Sequence, residues 1–130
     1  MIRLESTTPN ETRQTVRVRT HELSADMLPE SGGKDEGPDP HDYFDAALAG
    51  CKNLTALWYA KRNGIPLERV EIDVERDASE ERKGKYVLKV RQTFHGPLTD
   101  EQREKLHQVV ERCPIHKLMA TTDVVIEAVR

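Results

Sequence analysis

Two cysteines, Cys51 and Cys113, are the residues here best suited to chemistry. Each falls in an apolar helical pattern. Tyr43, Ala47, Cys51, Leu54 and Trp58 recur at spacings of four, four, three and four, which puts them on one helix face. Leu106, Val109, Val110 and Cys113 form the apolar face of a second helix. A thiol in such a place is either a small core residue, a common role for free cysteine, or a nucleophile in a dry pocket. If the two helices pack face to face, the sulfurs can meet. A disulfide needs Cα atoms within about 7 Å.

Reactivity requires a thiolate, and an apolar pocket raises a thiol's pKa. Cys51 lies too deep in its helix to use the dipole, which fades within the first turn. It needs a cation from elsewhere, and Arg13, Arg17 and Arg19 are the candidates. Cys113 stands before Pro114. If that proline opens a short helix over residues 114–119, Cys113 gains the positive dipole end, and electrostatics alone would make it the more acidic thiol. Cys113 and His116 are also spaced like metal ligands, and Cys51 could join them. A fourth ligand is missing, since ten residues of helix hold His41 about 15 Å from Cys51 and structural zinc takes four ligands. The reading is therefore no metal and no cofactor, with His116 on a helix surface or at an interface.

The elements that position these residues are legible. Asp39 caps a helix over residues 40–62, with Pro40 at its first position and Asp42 in its first turn. Asn63-Gly64 stops it, and Pro66 follows. Residues 1–6, 14–20 and 21–28 read as short strands, the first two joined by a turn at Thr8-Pro-Asn-Glu. Residues 29–38 are a loop by composition. Val70-Glu-Ile-Asp-Val alternates, as does the stretch from Tyr86 to Phe94, around a charged hairpin tip at residues 78–84. Thr99 and Gln102 have capping-box spacing ahead of the second helix. Residues 123–129 read as a last strand. Strands, helix, strands, helix, strand is an α+β arrangement on mainly antiparallel sheet, a single domain over residues 1–130. Gly50 costs its helix up to about 1 kcal/mol, which points to close packing there.

Composition narrows the classes. The chain has 130 residues, 33% charged and 36% hydrophobic, so a lone copy has a modest core and pairing is expected. A net charge of −3 with interleaved signs argues against nucleic-acid binding. No apolar run approaches the roughly 18 residues of a membrane span, and the N-terminus lacks a signal peptide's apolar core. A cytoplasmic protein is expected, in which distant cysteines form a transient redox pair rather than a permanent staple.

Gly37-Pro-Asp-Pro40 leading into Tyr43-Phe44-Asp-Ala-Ala-Leu-Ala-Gly-Cys51, then a hairpin, then Glu111-Arg-Cys113-Pro114 before a last strand, resembles the OsmC/Ohr family of osmotically induced and organic-hydroperoxide-resistance proteins. The resemblance covers nearly the whole chain. It implies an intertwined homodimer with sites at the subunit interface, and thiol-dependent reduction of organic hydroperoxides. Carried over, Cys51 is peroxidatic and Cys113 resolving, and a dithiol reductant reopens the disulfide. The family's activating arginine matches Arg13 best, with Arg17 as fallback. The family's peroxidases carry a glutamate after the helix-opening proline to hold that arginine. Here His41 and Asp42 occupy the place, and they would act on the other subunit's site. Tyr43, Phe44 and Trp58 read as core or as walls of an apolar mouth suited to an alkyl peroxide. The alternative is a non-catalytic redox-responsive or ligand-binding dimer.

Overall fold

Residues Met1–Arg130 are all described by the computed structural model. They fall into two units, Met1–Phe44 and Asp45–Arg130, with the boundary inside the long helix.

The first unit is built on three strands, β1 (Ile2–Ser6), β2 (Gln14–Val18) and β3 (His21–Ala25), paired antiparallel in chain order. Leu4 pairs with Val16 and Val16 with Leu23, so these apolar side chains share one face. Asn10 and Arg19 adopt positive φ at the two turns, 63° and 52°. Beyond β3, Asp26 organises the loop. Its Oδ1 accepts from the Thr12 hydroxyl at 2.5 Å and the Met27 N–H at 2.7 Å. Its Oδ2 accepts from the Lys34 and Glu36 N–H groups at 3.3 and 3.0 Å. These donors, Thr12 foremost and outweighing burial, hold its pKa down at about 2.

The helix α1 (Pro40–Arg62) starts as its residues require. The Asp42 N–H donates to Asp39 Oδ1 at 2.8 Å, and the Asp39 N–H donates to Asp42 Oδ2 at 3.0 Å. It ends where Gly64 takes φ 63° and the Ile65 N–H reaches back to the Ala60 carbonyl at 2.9 Å.

In the second unit, β4 (Arg69–Asp77) and β5 (Val87–His95) form an antiparallel hairpin running from Arg69↔His95 to Asp77↔Val87. Its charged tip makes one short 3-10 turn. A full capping box between Thr99 and Gln102 opens α2 (Asp100–Val110), and Pro114 opens α3 (Pro114–Ala120). The core joins Ala56 and Ala60 of α1, Phe94 of β5, and Leu106 and Val110 of α2. No helix is long and apolar enough to cross a membrane.

The chain is α+β on antiparallel sheet, as its sequence implies. Two readings are corrected. Residues 123–129 form no strand: Val124, Val125 and Ile126 are β-branched, but the segment has no neighbouring strand to pair with, and Val124, Val125, Ile126 and Val129 are exposed. The buried stripe of α1 is also not the one carrying Cys51. It is Asp45, Leu48, Lys52, Ala56 and Ala60.

Candidate active site

The two stripes of α1 occupy different faces, their centres roughly 160° apart round the helix. The buried stripe fastens α1 to the rest of the second unit. Asp45 accepts from Arg76 Nε at 2.6 Å and from the Tyr86 hydroxyl at 2.8 Å. The other stripe opens on an apolar cavity of about 910 Å³. Ala47, Gly50, Cys51, Leu54 and Trp58 form one wall, and Val109, Pro114 and Ile115 stand among the others. Arg112 is the charged residue in the lining. A Cβ built on Gly50 would meet nothing within 4 Å, so this glycine faces open space and is not a close-packing point.

Cys51 is half-buried at this cavity and Cys113 is 0% exposed. Cys51 lies near enough to Cys113 to act on its ionisation. Cys113 caps α3, its Sγ accepting from the His116 N–H at 3.3 Å. Its pKa nevertheless lies above the usual thiol value. Burial is the largest cause, and the neighbouring Cys51 adds to it. The His116 N–H and the charge of Lys52 pull the other way and do not win. The cap is therefore present as the sequence implies, but desolvation outweighs it.

Lys52 is the residue that sequence reasoning missed. Its side chain is only 3% exposed. Its Nζ donates to the Val110 carbonyl at 3.0 Å and lies 3.1 Å from His116 Nδ1. The imidazole nitrogen accepts only in the tautomer that carries its proton on Nε2. His116 is thus tied to a buried ammonium, not loose on a helix surface. The available signal was register: position 52 lies four residues from both Leu48 and Ala56, so a charge there belongs to the inner face.

The remaining candidates are placed as follows. Arg13 Nε lies 3.6 Å from Glu36 Oε2, and Arg17 pairs with Glu5 at 2.8 Å and Glu22 at 3.5 Å. His41 and Asp42 stand in the first turn of α1. The Tyr43 hydroxyl donates to the Ser24 carbonyl at 2.5 Å. Phe44 is 46% exposed. Trp58 lines the cavity, 57% exposed, with the Arg62 guanidinium 4.8 Å from its ring centroid. No group of three or more His, Cys, Asp or Glu side chains is set to hold a metal ion. The ammonium beside His116 Nδ1 would itself repel a cation there.

Comparisons with known proteins bear on the family and the fold. Residues 33–128 match the family model described as OsmC-like protein. An OsmC-like protein from Mycoplasma pneumoniae superposes with a TM-score of 0.67 at 20% identity, over 84% of this chain and 79% of that one. An organic hydroperoxide resistance protein OsmC from Legionella pneumophila gives 0.63 at 21% identity, over 93% and 90%. The organic hydroperoxide resistance protein OhrB of Bacillus subtilis gives 0.60 at 19% identity, over 93% and 91%. Comparison with curated protein sequences gave no match. At these identities the solved structures speak for the fold. The match across residues 33–128 shows the lineage: the chain belongs to the OsmC-like protein family.

Proposed function

We propose that this protein reduces organic hydroperoxides through its two cysteines. The observation that carries the reading is Cys51 at the wall of an apolar cavity with Cys113 as its thiol neighbour. The Cys51 thiolate attacks a peroxide oxygen. The O–O bond breaks, the alkoxide takes a proton and leaves as the alcohol, and Cys51 becomes a sulfenic acid. The Cys113 sulfur attacks Cys51, the S–S bond forms, and hydroxide leaves as water. A dithiol reductant reopens the bond by exchange, and its own two thiols become a disulfide.

Arg13 is the proposed cation for the Cys51 thiolate, in the role the resemblance gives it, and Asp42 or His41 would position it. Trp58, Tyr43 and Phe44 are the proposed apolar substrate contacts. The working unit is taken to be a cytoplasmic homodimer of one-domain subunits. Exposed Ile2, Leu4 and Leu23 on one sheet face, and Val124 to Val129 at the C-terminus, support association.

The test is peroxide consumption with a dithiol present. Wild type should turn over, and prefer a bulky alkyl hydroperoxide to hydrogen peroxide. Cys51→Ser should abolish consumption, and Cys113→Ser should stall with a trappable sulfenic acid on Cys51. A single stoichiometric oxidation of wild type, with no turnover, would instead identify a redox-responsive dimer.

A further inference from the structure

Lys52 has no task in the scheme above, yet it is a buried cation that acts on Cys113. Burying an ammonium is costly unless its protons are satisfied. Here a carbonyl and an imidazole nitrogen take two of them, at 3.0 and 3.1 Å. Neither acceptor carries a negative charge when His116 is neutral. The nearby group able to supply one is Cys113, on which Lys52 acts electrostatically. His116 links the two, since its ring meets Lys52 while its backbone N–H donates to Cys113 Sγ.

We propose that Lys52, held by His116 and the Val110 carbonyl, is a positioning residue that stabilises the thiolate of Cys113 and so sets the rate at which Cys113 closes the disulfide. This rests on the resolving role given to Cys113 above. Cys113 loses its thiol proton, its thiolate displaces hydroxide from the Cys51 sulfenic acid, and the proton leaves with that hydroxide as water. Lys52 stays an ammonium throughout and supplies charge, not a proton. Arg112 stands in the cavity lining with Cys51, whereas Lys52 is enclosed with Cys113, which is fully buried and cannot recruit water to carry its charge.

The experiment separates charge from scaffold. In a Cys51→Ser background, the isotope-labelled Cβ resonance of Cys113 is titrated against pH. This readout needs neither reagent access nor peroxide. Lys52→Gln retains an amide able to reach both acceptors but lacks the charge; Lys52→Met removes both. Each is checked first by its thermal melt. Both should raise the Cys113 titration midpoint by about one pH unit, a tenfold loss of thiolate at a given pH. A folded Lys52→Gln protein whose midpoint equals that of its Lys52 parent overturns the proposal, whatever Lys52→Met does. With Cys51 restored, Lys52→Gln should slow disulfide closure about tenfold after one equivalent of alkyl hydroperoxide, and leave the first oxidation of Cys51 unchanged. Unchanged closure also overturns it. If wild type consumes no peroxide, the peroxidase reading fails by itself, and the titration still decides the role of Lys52.

Discussion

Cys51 and Lys52 adjoin in sequence and serve opposite surroundings. The thiol stands at the wall of an apolar cavity, while the ammonium is shut in against Val110 and His116. One peptide step on α1 therefore separates the face open to a ligand from the face that anchors the helix.

The Asp26 carboxylate offers a test of the loop that leads to α1. Its pKa is depressed from 3.8 to about 2, so its stabilising contribution is full above 3.8 and disappears as pH falls toward about 2. Asp26→Asn should lower the melting temperature at neutral pH, because the amide cannot reproduce the set of accepted bonds. The gap to wild type should close across that acid window. A gap that stays constant down to pH 2 would show that ionisation of Asp26 contributes nothing.

The Asp45 cluster predicts the cost of detaching α1. Asp45→Ala removes an acceptor of the Arg76 guanidinium and of the Tyr86 hydroxyl, and should destabilise the protein by about 2 to 3 kcal/mol in urea unfolding, since breaking a largely buried pair exceeds the worth of a surface one. Tyr86 supplies a second readout. Burial first, then its bond to Asp45, raises its pKa from 10.0 to about 12. The raised pKa favours the folded state below 10.0, and this advantage drains away as pH climbs to about 12. An alkaline ultraviolet titration should show the Tyr86 phenol ionising late in wild type, and earlier in Asp45→Ala.

Core and cavity should respond differently to truncation. Leu106 is 0% exposed, so Leu106→Ala should cost about 3 kcal/mol. Leu54 is 67% exposed at the cavity, and Leu54→Ala should leave the stability of a single chain within about 0.5 kcal/mol. Its effect should instead appear in discrimination between bulky and small peroxides. Equal losses of stability from the two changes would contradict the division of α1 into inner and outer faces.

Local signals carried far in this chain. Asp39, Pro40 and Gly64 delimit α1, and Thr99 with Gln102 opens α2, because caps and stops act through neighbouring backbone groups. What eluded the pattern depended on distant partners. Lys52 finds its acceptors 58 and 64 residues away, so nothing beside it announces that it is buried. Residues 123–129 have a strand's β-branched composition, but a ladder needs a second strand, which composition does not supply. The Cys51 stripe reads as core because its side chains are larger and more apolar than those at 45, 52, 56 and 60. Packing chose the smaller set, in which Ala56 and Ala60 let α1 approach α2 and β5 closely.

Gly50 sets two selective pressures against each other. A methyl group there would lend backbone stiffness, and it would collide with nothing. It would also intrude on the volume beside Cys51 that a guest molecule would use. A lineage pressed for heat resistance would drift toward alanine, whereas one pressed to accept bulkier guests would keep the empty position.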